Sequence, residues 1–133
     1  MSVARWMDEG ETRVLQILLG SLAVDGAYYL GLYKNSALPN ENSTVADLIE
    51  VSGYGYARKT LTRGSWTITG NKATYEEQTF LAQGGDWGTI YGYFITTTLT
   101  GTGGKLIAIE HFDVPFNIVN GKGIKIIPQI TID

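Results

Sequence analysis

The chain has 133 residues and a mass of 14.5 kDa, one domain's worth of sequence and enough to bury roughly two-thirds of its unfolded surface. Charged residues make up only 17% against a usual ~25%, and the net charge is −3, so Thr, Asn, Ser and Gly must supply most of the polar cover. Ten Lys and Arg form no basic footprint for nucleic acid, the lack of cysteine excludes disulfides and thiolate sites, and no apolar run approaches the ~18–20 residues of a membrane span.

Residues 1–7 lack the basic-then-apolar layout of a signal peptide and read as an N-terminal arm before a single domain over 8–133. Asp8 is the expected N-cap, with Glu11 completing a capping box. Val14, Leu15, Leu18, Leu19 and Leu22 follow at helical spacing, which predicts an amphipathic helix over about 8–22, ended by Gly20 or Gly26. Its apolar stripe is expected to close the bottom of a β core; the alternative is docking on a partner subunit.

After Gly26 the apolar period falls from 3.6 to 2. Ala27–Tyr33 reads as a strand, and Thr44–Val51 as a helical turn or irregular strand. Further β-type runs are Tyr54–Thr62, Ser65–Thr69, Ala73–Leu81, Thr89–Thr98, Lys105–Phe112 and Ile124–Ile132, separated by glycine-rich turns. Pro128 cannot donate a ladder bond, so an edge position or a bulge is expected there. Seven or eight short strands and one helix predict a mainly β, single-domain antiparallel β-sandwich or jelly roll.

Little in the chain promises chemistry. His111, the only histidine, has no nucleophile in a G-x-S-x-G elbow and reads as a strand-end histidine with a satisfied hydrogen bond. Glu76 and Glu77, on one strand, would point to opposite faces; Glu110 and Asp113 could approach each other near a strand end. A glycosidase would have to rest on Glu77, Glu110 or His111. Gly101–Lys105 superficially matches a phosphate loop, but Leu106 takes the hydroxyl position and a strand follows, so it reads as a hairpin loop. Asn42-Ser43-Thr44 fits a glycosylation acceptor by pattern alone. No metal or other cofactor is expected. Among aromatic residues, Tyr91 and Tyr93 are expected to share a face, and Trp87, within Gly84–Gly88, is the least obviously buried.

The order of segments carries more than any single residue. Glu9-Gly10-Glu11 opens a leucine-rich helix, and Tyr29-Leu30-Gly31-Leu32-Tyr33-Lys34-Asn35 follows as a strand. Then come Gly53-Tyr54-Gly55-Tyr56-Ala57, Ser65-Trp66-Thr67-Ile68, Ile90-Tyr91-Gly92-Tyr93-Phe94, Glu110-His111-Phe112 and the closing isoleucine strand. Over roughly residues 9 to 132 this resembles small tailed-bacteriophage virion proteins, and is similar to the jelly-roll cement, or decoration, proteins of phage capsids. The same likeness extends to tail or fibre components. It implies a non-enzymatic protein made in the bacterial host cytoplasm and seated on the capsid exterior. The implied partners are the major capsid protein and the chain itself, as homodimer or homotrimer, with no nucleic acid, membrane or cofactor. Trp6 and Met7, in an arm reaching a neighbour, and Trp87 and Tyr91 are the expected partner contacts; the alternative for Trp6 is that it folds back on its own core. The alternative reading is a carbohydrate-binding or structural module of a tail or fibre, with Trp87 and Tyr91 as the sugar platform.

Overall fold

In the computed structural model, which describes residues 3–132, the chain forms an antiparallel β-sandwich with one helix. The strands are β1 (Val3–Trp6), β2 (Ala27–Tyr33), β3 (Lys59–Thr62), β4 (Thr67–Thr69), β5 (Lys72–Thr74), β6 (Gln78–Leu81), β7 (Gly88–Thr96), β8 (Leu106–Ile118), β9 (Gly123–Ile126) and β10 (Gln129–Thr131); the helix α1 is Asp8–Leu18. One layer is a five-stranded sheet ordered β1-β8-β7-β2-β3; a three-stranded sheet, β10-β5-β4, and a two-stranded one, β6-β9, cover its face.

Alternation builds the interior. Leu30 and Leu32 of β2 and Ile90, Tyr93 and Ile95 of β7 meet Phe80, Ile124 and Ile126 from the covering strands. The opposite face of the large sheet buries a smaller cluster, with Tyr33, Phe94, Leu106 and Ile109 beneath Met7, Val45 and Leu48. Val45 opens and Leu48 follows a 3-10 turn, Val45–Asp47, where the Asp47 carboxylate accepts the Thr44 backbone N–H. Thr44–Val51 therefore takes the turn alternative over the strand.

The remaining elements depart from the sequence reading in instructive ways. The helix N-cap is Met7 rather than Asp8, and Met7 is fully buried in the second cluster. Gly10 sets the rotation of the helix: a Cβ there would stand 2.2 Å from the Ile107 carbonyl oxygen, so only glycine permits this approach. Ile107 is the extra residue of a bulge, since Ile95 pairs with Ala108 and Thr96 with Leu106. Gly10, Arg13, Val14 and Ile17 consequently face inward, and the leucine stripe is turned to solvent. The Ile124–Ile132 run is two strands, because Pro128 breaks the ladder and the chain changes sheet: β9 pairs β6, β10 pairs β5. Ala73–Leu81 divides the same way, leaving Glu76 and Glu77 exposed between strands rather than on one.

Candidate functional site

Each expected partner contact has a definite place. Val3–Trp6, expected as a free arm, is instead an edge strand, pairing Val3 with His111 and Trp6 with Ala108; Met1 and Ser2 lie outside the described residues. Trp6 is half-buried, and its indole Nε1 donates to the Thr131 carbonyl at 2.8 Å, so this tryptophan folds onto its own chain. Met7 is wholly buried, and Trp87 is 3% exposed, with its indole N–H shared between the Gly53 and Tyr54 carbonyls. Neither side chain is open to a partner.

Tyr91 and Tyr93 do not share a face. Ile90 pairs with Phe116 and Gly92 with His111, so Tyr91 stands alone opposite residues 112–115. This irregularity shifts the alternation: Tyr93 enters the sandwich interior, and Tyr91 packs with the second cluster. Tyr91 stacks on His111 at 6.2 Å between centroids, and His111 on Tyr33 at 5.8 Å. The Trp87–Tyr91 sugar platform is therefore not assembled.

His111 and Glu110 are each hydrogen-bonded to a tyrosine. His111 Nδ1 lies 2.8 Å from the Tyr33 hydroxyl, the satisfied strand histidine expected, although it stands mid-strand. Tyr93 donates to the Glu110 carboxylate at 3.2 Å; burial, then the nearby Glu110 charge, holds both the Tyr33 and Tyr93 phenols well above their ordinary range. Among the described residues no group of three or more His, Asp and Glu is gathered to hold a metal ion, and no helix is long and apolar enough to cross a membrane.

One network escaped sequence reading. Arg58, 7% exposed, forks onto Glu50 through Nε at 2.9 Å and Nη2 at 2.7 Å, and donates to the Thr98 and Gly101 carbonyls of the β7–β8 hairpin loop. The Tyr56 hydroxyl donates to the same carboxylate at 2.6 Å while accepting the Leu32 N–H. Gly101–Lys105 is thus a hairpin loop tied to the core by a bidentate charge pair. A lone Arg and Glu eight residues apart give no periodic signal.

Two surfaces stay open. The broader is a groove of about 700 Å³ along β1, walled by Val14 and Leu15 of α1 on one side and Ile130 and Ile132 of the β10 segment on the other. Beyond it Leu15, Leu18 and Leu19 are 58%, 73% and 83% exposed. The second, about 380 Å³, lies under the residue 112–116 excursion of β8, where Phe112 and Phe116 meet edge to face near Glu110 and Lys125. The first surface is concave and sets its apolar side chains beside the charges of Arg5, Glu11 and Glu41.

The comparisons with known proteins agree in kind. The model of the family described as Podophage GP4 fiber I protein gp80 matches residues 6–132. The chain therefore belongs to that family and is a bacteriophage virion structural protein. No curated protein matches the chain.

Proposed function

From membership of a podophage fibre family, we propose that this chain is a non-enzymatic structural module of the phage tail or its fibres. The observation that carries the reading is the family match, whose description names a fibre and whose span covers almost the whole chain. Capsid decoration, the resemblance's first implication, shares the virion setting but not that word. The geometry adds support of its own. The titratable side chains at the centre of the molecule are held in structural hydrogen bonds, while contiguous apolar surface is left for other subunits. A structural module is favoured over a carbohydrate-binding one because Trp87 is buried and Tyr91 lies on the other side of its sheet.

Gold-labelled antibody against the purified protein, applied to intact particles and viewed by electron microscopy, tests this. Label on the tail or fibres is expected. Label spread over the head lattice would return the protein to capsid decoration, with the major capsid protein as its partner. A glycan array runs in parallel: reproducible sugar binding would overturn the purely structural role.

A further inference from the structure

We infer that the free edge of β1 and the leucine face of α1 form one continuous self-association surface, on which a second copy of this chain docks about a two-fold axis through Ala4. The reading is independent of whether the protein sits on head or tail.

β1 is a terminal strand of the five-stranded sheet, so one row of its backbone donors and acceptors faces outward. Edge strands are usually blunted by charge, proline or a bulge. Val3-Ala4-Arg5-Trp6 carries one charge, and the Arg5 guanidinium is drawn aside to the Pro39 carbonyl at 2.7 Å. Above the edge lies α1 with Leu15 exposed, and below it β10, followed by the exposed Ile132. A strand pairing with β1 would be covered on both faces.

The area suits a second copy. Leu15, Leu18, Leu19, Leu22, Val3 and Ile132 are exposed by 37% to 83%, together equal to about three and a half whole side chains. At about 60–120 Å² per apolar side chain this is roughly 200–400 Å². A standard interface buries about 800 Å² per partner, a little over half of it apolar, so these six supply about half or more of the apolar share before the β1 backbone is counted. Charge is also self-compatible: Arg5 on the one hand and Glu11 and Glu41 on the other line the same groove, so a copy facing itself meets both signs.

Symmetry selects the register. In an antiparallel pair, directly opposed residues lie on the same face of the sheet, so a two-fold axis normal to the sheet must pass through a residue position. An axis at Arg5 would oppose two guanidinium groups, which is unfavourable. An axis at Ala4 sets exposed Ala4 against itself and Val3 against Arg5. The two sheets then run on as one of ten strands, the helices lie side by side, and their leucines meet.

The chain lacks cysteine, so an introduced one reports cleanly. Opposed Cα atoms in such a pair lie about 4.5–5.5 Å apart, within disulfide reach. The full chain is studied by sedimentation velocity, with far-UV circular dichroism to verify folding. A dimer is expected, Leu15→Lys with Leu19→Lys yielding a folded monomer, and Ala4→Cys forming an intermolecular disulfide on mild oxidation that Ile68→Cys, also exposed, on β4, does not. A wild-type monomer at ~100 µM, where a micromolar dimer is well populated, would overturn the inference. So would an oligomer that survives both lysines, or one that fails to cross-link at position 4.

Discussion

The Arg58 clamp offers the sharpest test of how this fold is held. Arg58→Met keeps an unbranched apolar side chain but deletes the charged guanidinium, whose carbon lies 5.3 Å from the Phe94 ring centroid. It removes both bonds to Glu50 and leaves the Thr98 and Gly101 carbonyls without this donor. Breaking a buried ion pair from one side costs about 3–5 kcal/mol, because the remaining charge is left uncompensated. Here the low end applies: the Glu50 side chain is 25% exposed against 3% for Arg58, and it retains the Tyr56 hydroxyl. The expected loss is about 3 kcal/mol, a large part of the ~5–15 kcal/mol that holds a domain together. Urea unfolding followed by tryptophan fluorescence measures it. At a slope of about 1.5–2 kcal/mol/M the midpoint falls by about 1.5–2 M. If the loss comes from a stranded carboxylate, Glu50→Gln in the same background recovers at least about 1 kcal/mol, a coupling of the size neighbouring charges show. A loss below about 1 kcal/mol, or strictly additive effects of the two substitutions, would refute the reasoning.

Three further outcomes follow from named contacts. Gly10→Ala lowers thermal stability despite a helix propensity gain of about 1 kcal/mol, since its Cβ meets the backbone at Ile107, whereas Gly26→Ala, with nothing within 4 Å, leaves stability unchanged or raises it; calorimetry of the pair decides. Burial and the Asp25 carboxylate push the Tyr28 phenol up to about 12, and burial holds Tyr33, Tyr56 and Tyr93 higher still; these groups contribute stability that is present below pH ~10 and lost as pH rises through their folded values, so ultraviolet titration at pH ~11 leaves them protonated until the chain unfolds. The Arg13 guanidinium holds the Asp25 carboxyl below its ordinary 3.8, so the pair's contribution is present above that pH and lost as pH falls through the folded value; Asp25→Asn flattens this acid limb of a stability-against-pH curve.

What could be read from the residues is what is encoded locally. Ala27–Tyr33 is a strand at the expected bounds, and Gly101–Lys105 a hairpin loop, because alternation and turn chemistry act over a few residues. The antiparallel sandwich followed from the same local signals. The misreadings come from contacts distant in sequence. The leucine stripe is genuine, yet Gly10 against Ile107, nearly a hundred residues on, decides which way it points. Pro128 alone predicts an edge position or a bulge within one strand; that the chain breaks there and crosses to another sheet depends on partners in β5 and β6. Val3–Trp6 has no strand-like period of its own and is ordered by β8. Trp87 sits among glycines, and only the Gly53 and Tyr54 carbonyls reveal that its loop closes over the core.

The exposed leucines bring the composition back into the argument. A chain with so few charges has little electrostatic means of staying apart from its neighbours, and α1 adds a stripe of leucine to that neutral surface. In a protein that acts alone such a stripe is a liability, since it invites indiscriminate association. In a virion component it is an asset of the same physics. Apolar side chains hidden at a neighbouring subunit avoid the cost of desolvating charge, and many equivalent copies make modest contacts collectively strong. Gly10 is the residue that converts one case into the other. A larger side chain would push the helix off the sheet, whereas glycine seats it along Gly10, Arg13, Val14 and Ile17 and leaves the leucine face turned to solvent. In the proposed dimer, a face already fixed on a folded helix would give up little conformational freedom on docking, which favours assembly from a surface of this modest size.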